Sequence, residues 1–165
     1  ITLIYTWLIR TLFYFVPDAP LTMRIRGFFY GLAMKQCGED FQVTNNVILR
    51  NLPNISIGNN VFIGNNSILM GSGFIKIEDE GLIGPNIVII SGNHTKINSS
   101  YRYGKADSGK IEIGKGSWVT SNCTIAKNSK LPSGSVLAAN SFLNKKYEVN
   151  NAIYAGIPAK KIKND

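Results

Sequence analysis

The chain has 165 residues and 18.1 kDa, with 44% hydrophobic content, which provides the core of one domain and too little length for two. Its two cysteines, Cys37 and Cys123, are too few for a disulfide framework or a four-thiolate zinc site, and its one histidine, His94, excludes a multi-histidine metal site, so no metal is expected. Eighteen Lys and Arg against ten Asp and Glu give +8, which suits an anionic partner, yet the cations are scattered without the run that follows a phosphate backbone, so no nucleic acid is expected.

Residues 1–16, ITLIYTWLIRTLFYFV, are almost wholly apolar, stop at Pro17 and carry Arg10 in mid-segment. They are shorter than the roughly 20 residues that span a bilayer, and they lack the basic start and small-residue cleavage site of a secretory signal. The first residue is Ile1, which leaves room for a start further upstream. After Pro20 the spacing of Met23, Ile25, Phe28, Phe29, Leu32 and Ala33 predicts a second helix over Leu21 to Met34. Residues 1–36 therefore read as a short helical region. Either both helices cap the main domain, or Trp7, Phe13 and Phe15 make an interfacial membrane contact beside Arg10, Arg24 and Arg26.

From Cys37 the helical period gives way to a repeat of six. Its first position falls at Cys37, Val43, Leu49 and Ile55, then at Ile57, Ile63, Leu69 and Ile75, then at Ile77, Ile83 and Ile89. It resumes at Ile113, Val119, Ile125, Leu131, Leu137 and Leu143. The fifth position is usually small (Ser67, Gly81, Ser117, Cys123, Ser129, Ser135, Ser141), and glycine often stands second. One aliphatic per six residues with a small residue four later suits a short strand followed by a tight corner. Three such strands close one coil, and stacked coils bury ladders that no single coil could bury alone. The fold class is thus an all-β solenoid, a parallel β-helix of roughly five coils over 37–165. Eighteen asparagines, many paired at the third and fourth hexad positions, agree with this, because Asn tolerates the left-handed conformation that corners require. Residues 95–110, TKINSSYRYGKADSGK, contain no hexad and should leave the coil as a loop, and loops of that length are often functional.

These residues resemble the hexapeptide-repeat, left-handed β-helix acyltransferases, most closely the branch with galactoside and maltose acetyltransferases and bacterial polysaccharide O-acetyltransferases. The segments that carry the resemblance are IGPNIVIISGNHT (83–95), IEIGKGSWVTSNCTIAKNSKLPSGSVLAANSFL (111–143) and AGIPAKKI (155–162). The usual second-position glycine is replaced at Thr120, Ala126, Pro132 and Ala138. The resemblance implies left-handed coils and acetyl transfer from acetyl-CoA to a sugar hydroxyl. It also implies a homotrimer with sites between adjacent subunits, and with that a role in surface polysaccharide synthesis.

The resemblance also assigns residues. His94 matches the catalytic histidine, and a neutral imidazole is well suited to take a proton from a weakly acidic sugar hydroxyl. Ser121 matches the position whose backbone N–H faces the thioester oxygen. Trp118 is expected to line the acceptor or pantetheine cleft, Asn86 and Asn93 to contact the acceptor, and Ala139 to border the pantetheine. Lys145, Lys160 and Lys161, in a basic tail with Lys146 and Lys163, are expected to meet the CoA phosphates. Cys123 stands at a small fifth position, which makes it a packing residue rather than a nucleophile. N-acetylation of an amino sugar, nucleotide sugar or antibiotic is the alternative on the same scaffold, with a non-catalytic β-helix behind it. A three-histidine zinc β-helix is excluded by the single His94. Use of acetyl-CoA and reduced cysteines imply a cytoplasmic protein, at the inner face of the cell membrane if the helices touch lipid.

Overall fold

In the computed structural model, which describes residues 2–165, the six-residue period becomes the three faces of a left-handed parallel β-helix. The first face stacks Gln36–Cys37, Ile55–Ile57, Phe74–Ile77, Lys110–Ile113 and Ser129–Leu131. The second stacks Gln42–Val43, Phe62–Ile63, Leu82–Ile83, Trp118–Val119, Val136–Leu137 and Ala152–Gly156, and Ala159–Asn164 folds back antiparallel on the last of these. The third stacks Ile48–Arg50, Ile68–Met70, Val88–Ile90, Thr124–Ala126 and Phe142–Leu143. Five coils are complete, and a sixth is begun where Lys146 bridges Lys130 and Ile153 pairs with Val136. The hexad spacing misses that last turn because the position six after Leu143 is Val149, which is exposed, while Ala152 and Tyr154 fill the core instead.

Each hexad position has its own physical duty. The first positions from Val43 to Leu143 are buried with at most 1% exposure, which excludes water from a continuous aliphatic column. The fourth position turns the corner: Asn46, Asn60, Asn66, Asn86, Asn122, Asn128 and Asn140 all have φ near +60°. The paired asparagines are therefore unequal, and only the second of each pair is left-handed. The buried fifth-position serines do more than avoid a clash. Ser67 Oγ donates to the Gly84 carbonyl at 3.0 Å and accepts from the Ile87 N–H at 3.1 Å, and Ser117 Oγ donates to the Pro132 carbonyl at 2.7 Å. A corner that turns inside the protein thus keeps its backbone groups satisfied.

The outer surfaces differ. Ser56, Lys76, Glu112 and Lys130 form the outward ladder of the first face, with ion pairs Lys76–Glu78 at 2.7 Å and Lys110–Glu112 at 2.5 Å. The hydrogen bond from Lys76 holds the Glu78 carboxyl below its ordinary range. The second face carries Phe62, Leu82, Trp118, Val136 and Ile153 outward, and the third Ile48, Ile68, Val88, Thr124 and Phe142. Two of the three faces are therefore largely apolar outside as well as inside, with Gln42, Arg50 and Thr124 the polar exceptions.

The N-terminal region forms helix α1 (Thr2–Leu12) and helix α2 (Pro20–Gly31), the second one residue earlier at its start and three shorter at its end than the apolar spacing suggests. Pro20 opens α2, and Gly27 lets it sit on the first coil. A Cβ at Gly27 would lie 1.9 Å from the Phe41 carbonyl oxygen. Arg26, 2% exposed, is the main anchor. Its guanidinium pairs with Asp18 at 2.9 Å, donates to the Val16 carbonyl at 3.3 Å and to the Val43 carbonyl at 2.5 Å. Asp18 in turn accepts from the Asn45 N–H at 2.8 Å and from Asn65 Nδ2 at 3.1 Å, joining the helices to two successive coils. Beside them Tyr30 is fully buried, burial raises its hydroxyl to about 12, and its oxygen has no partner among the described residues. Among the described residues no helix is long and apolar enough to cross a membrane.

Two stability measurements follow. Arg26→Ala leaves Asp18 without its buried partner and should cost about 3 kcal/mol or more in urea unfolding. Asn66→Val, which forces a β-branched residue into the left-handed corner, should cost about 1–2 kcal/mol, whereas Asn66→Gly should be nearly neutral.

Candidate active site

His94 reaches its place through an extruded hairpin. After Ser91 the chain leaves the corner between the third and first faces, and Gly92–His94 pairs antiparallel with Ala106–Ser108, His94 opposite Ala106. The departing and returning strands are clamped at the base, where the Gly109 N–H donates to the Ser91 carbonyl at 2.8 Å and the Ser91 hydroxyl bonds both the Gly73 N–H and the Met70 carbonyl. The loop therefore has a regular stem that starts at Gly92, and Lys110 already belongs to the next strand of the first face. A polar stem of this kind leaves no periodic trace in the sequence. Above it, Thr95 bonds the Lys105 carbonyl through both its N–H, 3.2 Å, and its hydroxyl, 2.7 Å. The strands are so close that a Cβ at Gly104 would meet the Thr95 carbonyl oxygen at 1.7 Å. Lys127 of the fourth coil pairs with Asp107 and ties the stem down. Asn93 and His94 are both exposed on this stem.

Ser121, Ala139 and Asn86 lie at a different corner, the one between the second and third faces. Asn86, left-handed, stacks on Asn65, and Ser121 stacks beneath the next coil, its carbonyl accepting from the Asn140 N–H at 3.1 Å. Among the described residues no acceptor takes the Ser121 N–H, which leaves it free to donate. Ala139 follows Ala138, whose N–H donates to the Tyr154 carbonyl at 2.8 Å, and is exposed beside that amide. Trp118, 46% exposed, stands outward on the second face just before this corner. A third-face strand of three residues separates the two corners, roughly 10 Å at the rise of a β-strand. One chain alone thus brings Trp118, Ser121, Ala139 and Asn86 together and keeps His94 and Asn93 apart from them.

The lysines gather at the last coil. Lys145 Nζ lies 5.1 Å from the centre of the Tyr147 ring, and Tyr147 donates to the carbonyl of Ala159, the neighbour of Lys160. Lys160 is opposite Ala155 and Lys161 opposite Tyr154 in the closing antiparallel pair. The Gly156 N–H donates to Ser141 Oγ at 3.1 Å, which sets the turn before Lys160 close to the corner of Ala139. Cys123, 1% exposed, points its thiol at the Ala138 carbonyl, 3.1 Å, and burial pushes that thiol up from its ordinary range. It fills a corner in the manner of the serines. Among the described residues no group of three or more His, Cys, Asp or Glu is placed to hold a metal.

No protein-family model matches the chain. Its sequence is 28% identical over 126 residues to the galactoside O-acetyltransferase of Escherichia coli K12, across 76% of this chain and 62% of that protein, so the chain spans less than two thirds of that relative's length. Among solved structures it superposes on a galactoside acetyltransferase in complex with coenzyme A with a TM-score of 0.85 at 23% identity, over 98% of this chain and 79% of that one. A hexapeptide-repeat acetyltransferase from Vibrio cholerae complexed with acetyl-coenzyme A gives a TM-score of 0.80 at 20% identity, over 97% and 85%. The fold is that of the hexapeptide-repeat left-handed β-helix acetyltransferases, and the sequence likeness to one of them bears out the resemblance carried by the motifs.

Gly104→Val should pry the hairpin open above its stem and make residues 95–105 the first site of limited proteolysis, with unfolding unchanged to within about 0.5 kcal/mol because the coils are untouched. Cys123 should resist iodoacetamide in the native protein and react once it is unfolded.

Proposed function

We propose that the protein is an acetyl-CoA-dependent O-acetyltransferase that moves an acetyl group to a sugar hydroxyl. The observation that supports this most is the division of the matched residues between two corners. An exposed imidazole stands on a clamped hairpin at one, and a free amide with a small neighbour and a tryptophan stands at the next. A homotrimer packed through the apolar second and third faces would set the hairpin of one subunit against the amide corner of its neighbour and build three equivalent sites.

In that site His94 accepts the proton of the acceptor hydroxyl as its oxygen attacks the thioester carbonyl. The Ser121 N–H donates to the carbonyl oxygen as it becomes an oxyanion. When the tetrahedral intermediate collapses, the carbon–sulfur bond breaks and the imidazolium returns its proton to the departing sulfur, leaving an acetyl ester and the CoA thiol. Ala139 leaves room for the pantetheine arm, Lys145, Lys160 and Lys161 supply charge for the CoA phosphates, and Trp118, Asn86 and Asn93 border the acceptor. The acceptor is a sugar of a surface polysaccharide, capsule, O-antigen or exopolysaccharide, modified in the cytoplasm or at the inner face of the cell membrane, with residues 1–36 toward the lipid. An amine acceptor on an amino sugar would use the same base, and a panel of hydroxyl and amino sugars with labelled acetyl-CoA separates the two.

His94→Ala should lower turnover by a factor on the order of 10² to 10⁴ while acetyl-CoA still binds in calorimetry, since none of its proposed contacts is the imidazole. Ala139→Phe should do the opposite of His94→Ala, weakening acetyl-CoA binding by roughly tenfold or more through overpacking. Near-normal turnover of His94→Ala with a working acceptor would sink the mechanism.

A further inference from the structure

The two N-terminal helices are amphipathic the wrong way round for helices that merely cap a soluble domain. The side of α1 that meets the first coil carries Thr6 and Ile9; Leu8 and Leu12 face away, and Leu3, Ile4 and Trp7 are exposed along a cleft beside Ile48 and Arg50 of the third face. In α2 the packed side carries Met23, Arg26, Gly27 and Tyr30, and Leu21, Ile25, Phe28 and Leu32 form a stripe spaced by three and four on the other. The exposure is large where it decides the matter: Trp7 58%, Leu12 73%, Phe15 93% and Leu32 64%. The stripe on α2 continues into a groove of about 860 Å³ between that helix and the first coil, with Phe28, Leu32 and Phe41 among its walls and Lys35, Glu39 and the Arg24–Asp40 pair beside them. Exposed apolar surface of this extent marks a protein or membrane contact.

We infer that this surface inserts into the headgroup layer of an anionic lipid bilayer, so that the outer sides of α1 and α2 hold the protein to the membrane. This gives structural content to the membrane side of the proposed function and rests on that reading only for its purpose, which is to meet an acceptor carried on lipid. Charge decides between lipid and a second copy of the chain as the occupant. Residues 1–36 hold Arg10, Arg24, Arg26 and Lys35 against the single carboxylate Asp18; Arg26 is paired with Asp18 and Arg24 with Asp40 of the first coil, which leaves Arg10 and Lys35 as the cations beside the apolar surface. Two copies joined through these helices would bring like charges together, whereas anionic headgroups complement them. Trp7 is of the kind that settles at a membrane boundary, and Phe15 and Phe28 supply apolar area to bury beneath the headgroups.

The test is co-sedimentation of the full chain with phosphatidylcholine vesicles and with vesicles containing roughly one third phosphatidylglycerol, without acetyl-CoA or acceptor. The protein should bind the anionic vesicles more tightly than the neutral ones, and less so in high salt. The variant Trp7→Ser/Leu8→Gln/Leu12→Gln, altered only at exposed positions, should lose binding by roughly tenfold or more with an unchanged circular dichroism spectrum and thermal midpoint. Binding by neither vesicle type, binding without preference for the anionic one, or full binding by the triple variant would each overturn the inference. So would a fall in oligomeric state of the triple variant with no lipid binding by the parent, which would assign the surface to a second copy. Because no reaction is involved, a failure of the acetyl-transfer reading leaves this result untouched, and the reverse holds as well.

Discussion

A single coil of this chain cannot cover its own aliphatic side chains, and that constraint shapes everything else. Each inward residue, from Val43 to Leu143, is covered by the coils above and below it, and at the first coil by helix α2. Registers of Ile63 on Val43 and Ile83 on Ile63 are therefore enforced by burial as well as by hydrogen bonds. To hold that register, two of the three corners keep one length, with a left-handed Asn recurring at the fourth position and buried hydroxyls at the fifth, while the corner between the third and first faces takes two more residues in the first coils, where Ile77 lies 20 residues after Ile57, than in the last, where Leu131 lies 18 after Ile113. The column is rigid because it has no slack, and extra residues can only leave it at a corner. The hairpin of His94 is such an exit, clamped at Ser91 and Gly109 so that the ladder closes beneath it.

The same rigidity fixes what the surface can do. Side chains alternate along each strand, so the outward ladders are as regular as the inward ones. On the first face that ladder is charged and paired within the chain, and on the second and third it is apolar. A protein with two apolar outer faces and one polar one is prepared for association through the two, and the proposed trimer uses them. The split of the candidate site between two corners has the same origin, because a corner is where a β-helix can present backbone amides and irregular segments without breaking its core.

Much of the fold was legible in the sequence because the duties of the hexad are periodic. The ladder positions, the small corners and the Asn turns could be read from single residue types, and the motifs 83–95, 111–143 and 155–162 carried the likeness that the comparison with galactoside O-acetyltransferase bears out. What could not be read is aperiodic. The sixth coil is built from Ala152 and Tyr154, which do not keep the spacing. Asp18 and Asn65 meet across 47 residues, and no local pattern announces the contact. The stem of the loop, its tether from Asp107 to Lys127 and the pinch at Gly104 are likewise products of three-dimensional closeness. For the helices, sequence left capping and membrane contact as alternatives, whereas the structure packs one side of each and leaves the other side apolar and exposed.

The central claim is that the site is shared, with His94 from one subunit and the Ser121 and Ala139 corner from another. Mixing the His94→Ala and Ala139→Phe proteins after reversible unfolding tests it directly. Random trimers should regain activity toward about one quarter of the unaltered level, since that fraction of shared sites draws an intact half from each parent. If the site were complete within a single chain, every chain would carry one damaged half, and the mixture would stay as inactive as its parents.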